Sequence, residues 1–443
     1  MAREVGLLLQ VVLQNGRKDD RPDLEALESA LRSAMLRAGA AALGQLLQAE
    51  EPGPQQRRVP CVCGQHAHYR ELRTRQLLTI VGPVELRRPY YLCPSCHQGQ
   101  FPLDRQLDVE HRDLSPGVRR MLALVGAHAP FDHGRQQMEV LAGLVVTTKA
   151  VERTAEEIGA DIAAREQREI QRARQLDLPM ETEDPIPILY VEMDGTGVPV
   201  VDAETLGRAG KVPGQPAHTR EAKLGCVFTQ TTWDEEGYPI RDPDSTTYIG
   251  AIETAESFDK RIYHEACRRG MNRAQKIVAI ADGAEWIWNL VDPAFPGAIQ
   301  IVDLYHARQH LWDLARRLHP NDSSRQNQWM LRHQPKLDDG KIENLVRFLR
   351  SLHPDSPELT AALQREAAYF ERNAERMRYP EFRRQHLFVG SGVMEAGCKT
   401  VIGARLKQSG MFWTVRGANA IIALRTCCLN HQLENYWENR QAA

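Results

Sequence analysis

Three apolar, β-prone runs in this chain each stop at a lone aspartate. The run Ile188-Leu189-Tyr190-Val191 predicts a buried strand over 188–193 that exits at Asp194-Gly195-Thr196-Gly197. "KIVAIA" leads to Asp282 and "AIQIV" to Asp303 in the same way. One such acid is ordinary turn or cap chemistry. Three of them put carboxylates along the edge of an open sheet where ligands bind. Glycine follows Asp194 and Asp282 directly and is expected to let a metal and a phosphate approach the backbone. Glu395 adds a fourth acid, on a helix that begins after Gly390-Ser391-Gly392. Carboxylate oxygens are the ligands magnesium takes, and two such ions about 4 Å apart serve phosphodiester chemistry.

Further strands are predicted at 223–233 and 245–254, giving the order β-β-β-α-β-α-β-α from residue 186 onward. Residues 320–385 are polar and helical in pattern, and the last two helices start near 390 and 418. The 443 residues exceed one ordinary domain. A composition of 26% charged and 42% hydrophobic residues is that of a globular protein. The net charge of −2 advertises no global basic field, yet it is unevenly spread. Arg57 to Tyr91 holds seven arginines against two glutamates, and Leu387 to Arg425 holds five Lys or Arg against Glu395 alone. No apolar run of about 18 residues and no signal-peptide pattern is present, so a cytoplasmic protein without a membrane span is expected.

Nine cysteines, an odd number, argue against a disulfide framework. Four of them form two pairs, Cys61-x-Cys63 and Cys93-x-x-Cys96, separated by two β-rich arms that meet at Val81-Gly82-Pro83-Val84. A hairpin that joins them assembles the four thiolates structural zinc prefers. The first pair is one residue tighter than usual, which leaves His66 or His68 as an alternative ligand. Ahead of the ribbon, 22–50 has helical spacing of Leu24, Leu27, Leu31 and Met35. Behind it, a helix, a break near Gly143 and a second helix from Thr147-Thr148 fit a helix-turn-helix or a plain helical hairpin. In the first case Thr148, Lys149, Glu152 and Arg153 face a major groove. A charged helix through 151–175 and a linker at "PMETEDPIP" complete this half.

The segments "MDGTG", "ADGAEWIWN", "VDLYHARQHL" and "GSGVMEAGCKTVIGARLKQSGMFWT", in this order, resemble the DDE transposases of bacterial insertion sequences, most closely the ISKra-type family. The resemblance covers 186–430 and is specific as a set rather than motif by motif. It implies a ribonuclease-H-like fold and a catalytic triad using two magnesium or manganese ions. Matched motif by motif, the triad falls on Asp194, Asp282 and Glu395, separated by 88 and 113 residues. Asp303 and His306 resemble an Asp-x-x-His motif of some such families, although a capping Asp with His in the first turn accounts for them equally. Lys399 shares a helical face with Glu395 and is expected to meet phosphate. Lys407 and Arg416 extend that surface. Trp413, Trp286 and Trp288 read as core aromatics or, less simply, as base contacts.

The sequence therefore predicts a multidomain α+β chain. It comprises a helical segment (1–56), a zinc-ribbon-like module (57–110) and a helix-turn-helix region (111–180). An α/β ribonuclease-H-like core (186–319 and 386–443) follows, interrupted by a helical insertion (320–385). The expected partners are double-stranded DNA, as transposon ends and target, and at least a second copy of the chain on that DNA, in a bacterial, nucleoid-associated setting. A non-enzymatic DNA-binding regulator and a nuclease that stops after hydrolysis are the rival readings.

Overall fold

The computed structural model describes residues 17–18, 21–173, 184–210 and 215–440. The start of the 1–56 segment, the last two residues of the helix expected over 151–175 and most of the expected linker lie outside these. Two compact units result, Met1–Glu157 with Leu433–Ala443, and Ile158–Gln432, the division falling inside the helix Thr148–Ala173.

In the first unit, Asp23 caps the helix Leu24–Leu46 by accepting from the Ala26 amide at 3.3 Å. A long antiparallel hairpin follows, His66–Thr79 with Gly82–Leu92. Its near end packs Ala67 and Tyr91 around the cysteines, and its far end packs Leu77, Leu86 and Val109 together. Helices Pro116–His128, Phe131–Gln137 and Thr148–Ala173 share a core of Val118, Leu122, Met138, Leu144 and Val151. The break between the last two falls at Gly143, as expected, after a π-helical turn Met138–Ala142.

The second unit is built on a five-stranded mixed sheet: β1 (Ile186–Pro199), β2 (Thr219–Gln230), β3 (Thr247–Ala251), β4 (Ala274–Ala281) and β5 (Ile299–Val302). The order is β3-β2-β1-β4-β5, with β2 alone running against the others. β1 is central, and Leu189 to Met193 are all buried, which is why its sequence shows no alternation and is apolar but for Glu192. Tyr190 stacks on Phe228 at 4.7 Å and donates its hydroxyl hydrogen bond to Gln230 Oε1 at 2.6 Å. The edge strand β3 is covered by the helix Val415–Leu429 and the residue after it. Asn419 bonds both backbone groups of Ile252, and Asn430 both of Tyr248, so the edge is closed by side-chain amides.

One expectation needs correction here. β1 does not exit at Asp194 but runs on to Pro199, paired with β2 throughout. Asp194 marks instead the level at which the parallel neighbour β4 ends. The glycine after it faces the Glu221 side chain of β2, whose Oε1 lies 2.5 Å from where a Cβ would stand.

Residues 323–384 are helical, with helices Ser323–Asp338, Ile342–Ser351, Pro357–Arg372 and Tyr379–Arg384. His333 stacks on Phe348 at 3.9 Å with Lys336 Nζ 3.3 Å from its Nδ1. Burial, then Lys336 and Arg332, push its imidazole down to about 4. The unfolded chain takes up that proton near pH 6.5 and the folded chain near pH 4. Stability is therefore whole above the higher value and declines as pH falls towards the lower one. Thermal melting followed by circular dichroism is expected to show this decline in wild type and a shallower one in His333→Gln.

Candidate functional site

Parallel register decides where the acids meet. β4 pairs with β1 so that Ile280 faces Glu192, and with β5 so that Ala281 faces Val302. Continuing the same offsets by one or two residues sets Asp194, Asp282 and Asp303 in one row across three neighbouring strands. The 88-residue separation of the first two acids is the register offset itself.

Asp194 accepts from the Gly195 amide at 2.6 Å through Oδ1 and from the Cys398 thiol at 3.3 Å through Oδ2. Burial pushes its carboxyl above the ordinary range, against the Cys398 and Gly195 donors, and the charge of Asp282 pushes the same way. Asp282 accepts from the Ala284 amide at 2.9 Å, and Tyr369 donates to its carbonyl at 3.0 Å. Gly283 has φ +93°, and Tyr369 fills the space beside it, 2.8 Å from where a Cβ would stand. Its lack of a side chain thus makes room for the Tyr369 ring.

Glu395 lies on the helix Gly392–Gly397, which continues as a π-helical turn Cys398–Gly403 into Ala404–Leu406. Its side chain is 62% exposed and pairs with Lys399 at 3.4 Å. Cys398, three residues along the same face, is the residue of this helix that bonds Asp194. Burial raises its thiol well above the usual range, with Asp194 next in effect, so it remains a donor. Arg425 bonds the Thr400 and Val401 carbonyls freed in the π turn, the second at 2.7 Å.

Asp303 is 3% exposed and its oxygens are occupied. Oδ1 caps the following helix at the His306 amide (2.7 Å), and Oδ2 accepts from the Ser391 amide and hydroxyl (2.5 Å each). The capping account of Asp303 is the one these contacts describe. His306 is half-buried and near enough to Asp194 to oppose its upward shift. Asp303→Ala is expected to cost about 2–3 kcal/mol from a lost cap and an unsatisfied loop, measured by urea denaturation.

The residues missed from sequence are Glu192 and Cys398. Glu192 is 0% exposed, two residues before Asp194 on the same strand face. Its Oε2 accepts from the Met394 amide at 2.9 Å and the Cys226 thiol at 3.6 Å, while Oε1 has no partner. Burial raises its carboxyl to about 8, against the Met394 and Cys226 donors. A charged residue inside "LYVEMD" was the available signal.

Elsewhere, Trp413 is buried with its ring N–H on the Leu406 carbonyl at 3.1 Å, and Trp288 is buried under Arg376. Both are core residues. Trp286 is half-buried between Phe258 and Lys223. Lys407 reaches Thr196 at 2.5 Å, and Arg416 is exposed. In the helix-turn-helix region Thr148 bonds Asp132 at 2.9 Å, Lys149 pairs with Glu152 at 2.6 Å, and Arg153 is exposed. Of the hairpin arginines, Arg75 and Arg88 are spent on buried Asp104 at 3.2 and 2.7 Å, so the basic surface is smaller than the residue count implied.

The four cysteines converge. Cys61 and Cys96 sulfurs are 3.6 Å apart, Cys63 and Cys93 3.7 Å, and all four lie within 4.8 Å of one another. Sulfurs about 2.3 Å from a tetrahedral zinc stand about 3.8 Å apart, so the set can bind a metal such as zinc. The Cys96 amide, first among its causes, draws the Cys93 thiol down, while the neighbouring thiols hold Cys96 up, so the four sulfurs share charge as one set. His66 and His68 are not in this set. Among the described residues it is also the one group of three or more potential ligands close enough to share an ion, and the acids of the second unit do not form such a group. No helix of the described residues is long and apolar enough to cross a membrane.

No protein-family profile matches the chain, and no curated protein does. Among solved structures it is similar to the Drosophila P element transposase strand transfer complex, with 10% identity over 72% of this chain and 80% of that one and a TM-score of 0.23.

Proposed function

We propose that this chain is a DDE-type DNA transposase with a ribonuclease-H-like catalytic core, of the insertion-sequence kind its motifs resemble, which binds element ends and carries out metal-dependent strand cleavage and transfer. The observation that carries the reading is the row of aspartates. Asp194 and Asp282 meet by register at the ends of parallel contacts in a β3-β2-β1-β4-β5 sheet, and the Glu395 helix is bonded to the same strand.

Asp194 and Asp282 form a carboxylate donor pair whose mutual charge a hard cation relieves, which suits magnesium or manganese. In this reading Asp194, Asp282 and Glu395 hold the ions. Bound there, such ions activate an attacking oxygen and stabilise a leaving one. The chain's own part is to hold the acids in register, to keep Cys398 protonated on Asp194, and to offer Lys399, Lys407 and Arg416 to phosphate. The first unit supplies DNA recognition in this reading, through zinc at Cys61, Cys63, Cys93 and Cys96 and through Thr148, Lys149 and Arg153.

A magnesium or manganese titration of cutting and joining of DNA carrying the element's flanking ends tests the proposal, with the triple alanine variant of Asp194, Asp282 and Glu395 alongside. Metal-dependent joining that the variant lacks is the expected result. End binding without cutting in either protein would replace the proposal with a DNA-binding regulator. Cutting without joining would replace it with a nuclease.

A further inference from the structure

The first turn of a helix leaves amides with no partner inside the helix, and the residue before it normally caps the third of them with its side chain. In Gly392–Gly397 that residue is Ser391, and Ser391 makes no such bond because its hydroxyl is given to Asp303. The amide it would cap, Met394, is bonded instead to Glu192, 202 positions away in sequence and at the centre of the sheet. A second tie runs in parallel, from Cys398 to Asp194.

The two ties are commensurate. Two residues of strand rise about 6.8 Å, and four residues of helix rise about 6.0 Å. Glu192 and Asp194 therefore meet Met394 and Cys398 with the helix lying along the strand. Glu395 follows Met394 directly and shares a face with Cys398, so the register of these ties sets where its carboxylate stands against Asp194. Glu192 itself is an awkward residue to keep. It is wholly buried, and one of its oxygens has no partner, an arrangement that costs stability unless something is gained from it.

We propose that Glu192 is the positioning residue of the acid cluster, its carboxyl capping the Met394 amide and fixing the register of the Glu395 helix along the strand that bears Asp194. Its part in a reaction rests on the transposase reading. The capping and the register do not.

The test uses the full chain as wild type, Glu192→Gln and Glu192→Leu. Glutamine keeps an acceptor for the Met394 amide, and leucine fills the space without one. Three quantities are read: hydrogen–deuterium exchange of 392–397, manganese binding by electron paramagnetic resonance in the absence of DNA, and magnesium-dependent joining. In Glu192→Leu, exchange of 392–397 is expected to rise about five- to tenfold with β1 unchanged. Half-saturation by manganese should move to about tenfold higher concentration, in step with the magnesium needed for joining. Glu192→Gln should restore all three to within about twofold of wild type, which a general loss of fold would not allow. If Glu192→Leu does not fold, Glu192→Asp, shorter by one methylene, takes its place.

Wild-type exchange and metal demand in the variant without the cap would overturn the proposal. So would a glutamine variant as impaired as the leucine one. Wild-type protein that neither cuts nor joins DNA, with exchange as expected, would remove the transposase reading and Glu192's catalytic purpose while leaving the cap.

Discussion

Asp194→Asn is expected to lose magnesium-dependent cutting and joining by about 10²–10³-fold, the scale on which removing one preorganised electrostatic partner acts. Its effect on the fold is expected to be small. Asparagine has the same shape, its oxygen still accepts from the Gly195 amide while its NH2 turns to the Cys398 sulfur, a weak acceptor, and it removes a carboxyl whose charge is penalised by burial and by Asp282. The melting temperature should therefore be no lower than wild type, and affinity for end DNA should stay within about twofold, because binding is assigned to the first unit. Glu395→Gln should behave alike, since its side chain is exposed and leaves only Lys399 without its pair. Gel assays of cleavage and transfer beside binding isotherms separate the two quantities. Cleavage at the wild-type rate in either variant would show that the triad is assigned wrongly.

Removing the metal from the cysteine cluster is expected to be the most damaging change to the first unit. The near end of the hairpin has little else to hold it. Its buried cluster is Cys61, Ala67, Tyr91 and Cys93, with only Val59, Tyr69 and Cys96 packed against it. Structural zinc sites contribute about 10–16 kcal/mol of apparent binding free energy, far more than such a cluster supplies. Chelation, or Cys93→Ser, should therefore expose residues 58–69 and 90–100 to proteolysis and abolish end binding. The far end, packed on Leu77, Leu86 and Val109, should stay protected. His66→Ala and His68→Ala should retain one zinc per chain by elemental analysis, because neither ring belongs to the ligand group. A protein that keeps the near end protected after chelation would show that the thiols are not a folding site.

Both predictions join readings made from sequence to contacts found only in the fold. The ribbon was legible because four cysteines in two close pairs, with β-rich arms between, have few ways to be useful. What the spacing left open, the choice between one cysteine of the first pair and His66 or His68, was a matter of distance, and the sulfurs are close enough by themselves. The helices of 323–384 were legible for a similar local reason, since their polar and apolar residues keep a helical period. The strand-end aspartates were visible as well, because a buried strand is a continuous apolar run and a charge that ends it stands out.

Tertiary structure decided the rest. A run of apolar residues does not say how far a strand continues, and β1 continues past Asp194 because β2 pairs with its glycine-containing segment as far as Pro199. Asp303 belongs to the same visible row as Asp194 and Asp282, yet Ser391, 88 positions away, occupies its free oxygen. Trp413 was equally open until its ring N–H met the Leu406 carbonyl. The sequence by itself determined which residues carry charge, sulfur and apolar surface, and so which local elements form, though not where each one ends. Only the tertiary structure decided which of those acids stand in one row and which are spent on other contacts, because register, helix placement and burial are set by partners 88 to 204 residues distant, and no local pattern records them.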